Sequence, residues 1–161
     1  RSTLDGAFTR SHRSSASDDK YMGTAAFLAE LVLLDLPDRA RLDAALAAAG
    51  SHKRLAGAQR VGAGFAPTFS GRHGEVGLHA LSHGERDVLR VLATMLRFDL
   101  TVAPIFIDLP ELAVGPSGGA ALLGAMRTLA PDAQIVVATH CPEAFRQLDR
   151  ARFVTLDGGA A

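Results

Sequence analysis

The chain has 161 residues, 48% of them apolar and 21% charged; this suits one domain or most of one and excludes global disorder. Its 17 basic and 17 acidic side chains cancel to zero net charge, which removes any whole-chain attraction to nucleic acid or to a membrane surface. A single cysteine, Cys141, excludes an internal disulfide, so a reducing, cytoplasmic setting is expected.

No apolar run approaches the ~20 residues that span a bilayer, so no membrane partner is expected. All of the basic residues except Lys20 and Lys53 are arginine; with the many alanines this reads as coding bias and carries no function. The chain starts on Arg1 rather than methionine and shows no signal peptide, so we read it as part of a longer protein.

Residues 1–19 are rich in Ser, Arg and Asp and are expected to form a flexible arm. From residue 20 to 36, Met22, Phe27, Leu28, Leu31 and Leu34 recur at helical spacing. Pro37 interrupts, and Pro37 with Asp38 starts a second helix over 39–49 that Gly50-Ser51 ends. The glycines at 62, 64, 71, 74 and 77 punctuate residues 59–79, where a β-hairpin turning near 71–74 is expected. Thereafter helices and strands alternate. Helices are expected over 82–98, 116–129 and 142–148, and apolar strands over 102–108, 134–139 and 152–156. Strands apolar on both faces between helices imply a mostly parallel sheet covered on two sides, hence an α/β fold. The expected division is an arm (1–19), a helical region (20–58) and an α/β unit (59–161).

Three strings in the α/β unit carry chemistry. Leu81-Ser82-His83-Gly84-Glu85 precedes a helix. Ser82 and Glu85 have capping-box spacing, each satisfying a free N–H of the helix start, and the same turn can receive phosphate oxygens. Ile105-Phe106-Ile107-Asp108 is a buried-type strand ending in an acid, at the sheet edge where α/β folds place ligands. Asp108 there can hold Mg²⁺ or simply begin the turn at Pro110. Gln134-Ile135-Val136-Val137-Ala138-Thr139-His140 is a second such strand; it puts His140 on the same edge as Asp108.

In that order, LSHGERDVLRVLATML, IFIDLPELAVGP and QIVVATHCPEAF resemble the signature, Walker B and switch-histidine motifs of ABC-type ATPases. The resemblance is to the RecF/SMC/OLD-like group of DNA repair and phage defence, and it covers roughly residues 59–156. It implies the C-terminal part of a P-loop NTPase fold that binds ATP and Mg²⁺ between two subunits. By the resemblance, Ser82 and Gly84 contact the γ-phosphate of ATP held mainly by a partner subunit, and Glu85 frames the signature helix. Asp108 orients Mg²⁺, and His140 senses the γ-phosphate and positions the attacking water. DNA or an effector nuclease enters as a partner by resemblance only.

Two departures stand out. The family's water-polarising glutamate follows the Walker B aspartate; Leu109 stands there and can take no proton. Glu111 lies two residues on, and it can substitute as the catalytic acid only if the turn at Pro110 swings it to the nucleotide. No Gly-x-x-x-x-Gly-Lys-Ser/Thr string occurs, so the phosphate cradle is absent from these residues.

Competing readings are weaker. His73, His79, His83 and His140 match no common zinc spacing. A His140-Cys141 hydrolase needs neighbouring residues to face one another, which adjacent side chains rarely do. What stays open is an ATPase with impaired hydrolysis, a degenerate non-hydrolysing scaffold, or an interaction module that docks a partner through the helical pair at 22–49.

Overall fold

The computed structural model describes residues 16–72, 74–146, 148 and 152–154. In chain order these form α1 (Ala16–Leu33), α2 (Asp38–Ala48), β1 (Arg54–Val61), β2 (Gly64–Gly71), β3 (Gly74–Gly77) and a 3-10 turn (Leu78–Ala80). They continue with α3 (His83–Arg97), β4 (Ile105–Asp108), α4 (Glu111–Leu129), β5 (Ile135–Ala138) and α5 (Pro142–Phe145). Of the arm expected over 1–19, residues 16–19 belong to α1 instead, which begins at Ala16; residues 1–15 lie outside the described residues.

The helical pair follows its local signals. Asp35 in the left-handed region (φ 48°) reverses the chain after α1, and Leu36 N–H bonds back to Leu31 carbonyl at 3.0 Å. Pro37 sits at the N-cap of α2. Gly50, with φ 75°, ends that helix, and Ser51 N–H reaches Leu46 carbonyl at 2.9 Å. This glycine stop is the one the sequence announced, because only glycine adopts that φ without a Cβ clash.

The hairpin expected to turn near 71–74 is present as β2 and β3, with Gly71 opposite Gly74; it is part of a larger antiparallel three-stranded meander, β1-β2-β3, that begins at Arg54. Its first turn joins Val61 to Gly64. The boundary expected after residue 58 falls inside β1. Little in Arg-Leu-Ala-Gly-Ala favours a strand; side chains of α2 hold it. Arg39 donates to the carbonyls of Leu55 and Ala56 (both 3.2 Å), and Asp43 accepts from Leu55 N–H at 2.9 Å. These bonds meet the chain at the irregularity between Leu55 and Gly57, where the ladder slips.

The second sheet holds two parallel strands, β4 and β5, with Asp108 opposite Ala138. The mostly parallel sheet that the sequence suggested is therefore corrected: the larger sheet is antiparallel and the parallel one is small. Residues 152–154 are not a strand, and 155–156 lie outside the described residues. The two-sided cover is corrected as well. Ile105, Ile107, Ile135 and Val137 pack against the core, while Phe106 is 77% and Val136 42% exposed on the opposite face. No helix among the described residues lies over that face.

One continuous core joins the parts. Leu28 and Leu31 of α1, Leu42 of α2, Phe69 of β2, Leu92 of α3 and Met126 of α4 are almost fully buried. Helix α4 runs through a break at Gly115 (φ 75°), so its main length starts at Pro116, where the sequence placed it. The first turn, from Glu111, is the unexpected part. Arg41 of α2 donates to Leu129 carbonyl at 3.2 Å and covers the far end of the same helix.

Candidate functional site

The three strings form two structural features on either side of the start of α4. The first is the N-terminal turn of α3. Ser82 is its N-cap: its hydroxyl accepts from Glu85 N–H at 3.2 Å, and the Glu85 carboxylate accepts from Ser82 N–H at 2.8 Å. The capping box is thus closed, and it leaves the N–H groups of His83 and Gly84 without an intrahelical partner. Gly84 packs against α4; a Cβ there would meet Val114 at 3.6 Å and Ala113 carbonyl at 3.7 Å. His83 turns back on its own helix, 3.2 Å from the buried Asp87 carboxylate.

The second feature is the paired end of β4 and β5. The parallel register puts Asp108 beside Ala138, so Asp108 and His140 leave the sheet at one edge, and both side chains are exposed. Leu109 then takes a left-handed conformation, φ 46°, rare for a bulky residue and found where the surroundings enforce it. Its N–H is held by Ala138 carbonyl at 2.9 Å. That turn, followed by Pro110 at the N-cap of α4, swings Glu111 across to β5.

Glu111 is 9% exposed. Its Oε1 accepts two bonds, one from the Thr139 hydroxyl and one from His140 N–H, both at 2.9 Å. Thr139 in turn accepts from Cys141 N–H at 2.9 Å. One carboxylate oxygen therefore ties the first turn of α4 to the three residues after β5. Burial works to raise the carboxyl pKa, but the backbone N–H groups of Glu111 and His140, the Thr139 hydroxyl and the nearby His140 ring outweigh it and lower the pKa below 4.5. The second oxygen, Oε2, is buried without a hydrogen-bond partner. Glu111 faces the protein rather than the open edge where Asp108 and His140 lie.

Sequence reasoning named Ser82, Gly84, Glu85, Asp108, Glu111 and His140; the structure puts Asp108 and His140 at one sheet edge and bonds Glu111 to the His140 N–H from the inner side. It does not bring the first three to them: Gly84 and Glu85 line a separate cleft of about 440 Å³. The opposite wall of that cleft carries His52, Lys53 and Arg72, which sequence reasoning passed over. Their only signal was that Lys53 is one of two lysines and stands just after a helix stop. Thr139 was missed too, since a threonine at a strand end looks like a β-former. Among the described residues no group of three His, Cys, Asp or Glu side chains is gathered as a metal site would need. His73 of the expected histidine set lies outside the described residues. No family model and no curated protein matches the chain. Among the described residues no helix is long and apolar enough to cross a membrane.

Proposed function

We propose that this chain contributes the signature, Walker B and switch-histidine parts of a two-subunit ATP site of the ABC/RecF-like kind, with slow hydrolysis. The observation that carries the reading is the register of the parallel pair, Asp108 opposite Ala138. It delivers an exposed acid and an exposed imidazole to one sheet edge, each at a strand's C-terminal end, where open α/β sheets take ligands. The bare face of β4 and β5, with Phe106 and Val136 exposed, supports it further. A parallel sheet this small is normally continued by more strands and covered on both faces, and such strands from another segment or chain are where a phosphate cradle would come from.

The donor set fits a nucleotide-bound Mg²⁺. Asp108 is exposed at the strand end, and among the described residues no partner ties its carboxylate. Bound Mg²⁺-ATP would supply the electrophilic phosphorus and the charge to be compensated. Asp108 orients the cation, usually through one or two carboxylate contacts and water. His140 lends a hydrogen bond at the same edge, and Glu111 sets the position of His140 by holding its backbone N–H. Leu109 accepts no proton, and the inward Glu111 offers no carboxylate to a water at that edge. Hydrolysis therefore relies on positioning without a base, which is why we place turnover low. The buried Glu111 carboxylate favours a second reading, a non-hydrolysing scaffold that uses the site only to hold two subunits together.

Calorimetry with Mg²⁺-ATP, on this chain and on the longest natural form that includes upstream sequence, tests the reading. Mg²⁺-dependent binding, lost in excess EDTA, is expected in the longer form alone. No Mg²⁺-dependent binding in either overturns it. In the form that binds, Leu109→Glu is expected to raise turnover, and His140→Ala to abolish what remains while leaving the fold intact. Unchanged turnover in His140→Ala removes the histidine from the site.

A further inference from the structure

The cleft beside the α3 turn is unexplained by that reading. Its walls are the turn from α2 into β1, the end of β2 and the N-terminal turn of α3, with Leu46, Leu81 and Leu89 at its floor. Its volume, about 440 Å³, is that of a small-molecule pocket, and a mostly apolar lining with a few convergent polar groups is the usual composition. The polar groups here are mainly cationic. Arg72 donates to His52 Nε2 at 2.9 Å; a guanidinium can only donate, so His52 accepts as a neutral ring and braces the arginine. The Lys53 ammonium lies over Gly71, where a Cβ would come within 2.9 Å of Nζ. Among the described residues neither Lys53 nor Arg72 has a carboxylate partner. The one carboxylate on the lining, Glu85, is engaged by Ser82 N–H.

We infer that this cleft binds a phosphorylated small molecule. Its phosphate is held between Lys53 and Arg72, and its uncharged body lies on the floor of Leu46, Leu81 and Leu89. Two cations on separate segments, Lys53 just before β1 and Arg72 just after β2, one a point charge and one a forked guanidinium, suit an anion with several oxygens better than a single carboxylate. The uncapped N–H groups at the start of α3 add partial positive charge from the third wall. The site shares the α3 turn with the signature part of the ATPase reading, but it uses neither Asp108 nor His140 and requires no Mg²⁺, so it can stand if that reading fails.

The test is calorimetry on the 161-residue chain in excess EDTA, with pyrophosphate, AMP and adenosine as probes. EDTA separates it from the strand-edge site, whose binding depends on Mg²⁺. Pyrophosphate and AMP are expected to bind, AMP more tightly, and adenosine to bind far more weakly. Lys53→Ala and Arg72→Ala should each weaken AMP about tenfold or more, the usual loss for a charge-assisted hydrogen bond. Lys53→Arg should restore most of it. Gly71→Ala keeps every charge and displaces the ammonium tip, so it should also weaken AMP even if an alanine variant folds poorly. The inference is overturned if neither phosphate probe binds, if adenosine binds as well as AMP, or if folded variants at Lys53, Arg72 and Gly71 all bind like the parent.

Discussion

Glu111 holds the strand-end cluster with one oxygen. It accepts from Thr139 and His140, and these bonds join α4 to the loop after β5. Replacing it with alanine strips two donors of their acceptor, so Glu111→Ala should lower the melting temperature more than Glu111→Gln, which keeps an acceptor. The pH dependence has a definite sign. A carboxyl held below its ordinary value of 4.5 contributes stability above that pH and loses it as the pH falls through the lower folded value. Thermal melts from about pH 7 to about pH 3 should therefore show the gap between parent and Glu111→Gln closing on acidification. A constant gap would remove the carboxylate's charge from the account.

Asp35 gives a residue-scale test of the opposite direction. It is exposed and left-handed, with φ 48°, at the stop of α1, a position glycine fills with no Cβ strain. Asp35→Gly is expected to stabilise the fold by about 0.5 kcal/mol, the relief being partly offset by glycine's freedom in the unfolded chain. Chemical denaturation measures it; a loss of stability would mean that the aspartate side chain contributes more than its backbone strain costs.

At the scale of elements, α3 is the piece whose start serves two purposes. Its closed capping box needs no ligand to explain it. Ser82→Ala should cost about 0.5–2 kcal/mol in denaturant unfolding whether or not any nucleotide binds. Loss of nucleotide binding in Ser82→Ala is informative only once that stability loss is subtracted. The meander shows the complementary case, an element stabilised from outside. β1 is an edge strand with one buried residue, Leu55, and α2 holds it through Arg39 and Asp43. Arg39→Ala should speed hydrogen exchange along β1 and leave α3 protected, since opening follows local contacts rather than the whole fold. Uniform acceleration would mean that β1 opens only with the entire molecule.

For the molecule as a whole, the notable feature is where apolar surface stays in water. Phe106 on β4 (77% exposed) and its register partner Val136 on β5 share the outer face of the pair, and Leu112 on the first turn of α4 is 79% exposed. Burial of the Phe106 ring in this chain is slight, so Phe106→Ser should leave the melting temperature nearly unchanged and reduce binding of an apolar dye such as ANS. A clear drop in stability would show that the face is already covered, for example by a second copy in solution, and sedimentation at two concentrations would detect that.

Local chemistry determined the parts that depend on neighbours in sequence. The helical spacing of Phe27, Leu28 and Leu31, the left-handed stop at Gly50, the Ser82–Glu85 box and the break before Pro116 all appear where the residues themselves demand them. A cap or a glycine stop is satisfied within four or five residues. The parallel pairing of 105–108 with 135–138 was legible too, because runs apolar at every position separated by a helix leave few alternatives. Tertiary structure decided the rest. Strand β1 exists because α2 grips its backbone, and the four-residue lengths of β4 and β5 follow from how little else pairs with them. The open face at Phe106 could not be read from a sequence, since an apolar residue signals burial whether or not its cover is present. The inward turn of Glu111 hangs on a left-handed leucine that no pattern predicts, and the meeting of Lys53, Arg72 and Gly84 across one cleft joins residues tens of positions apart. Periodicity reports what one element wants to bury; which elements meet, and which charges they carry to that meeting, is set by packing.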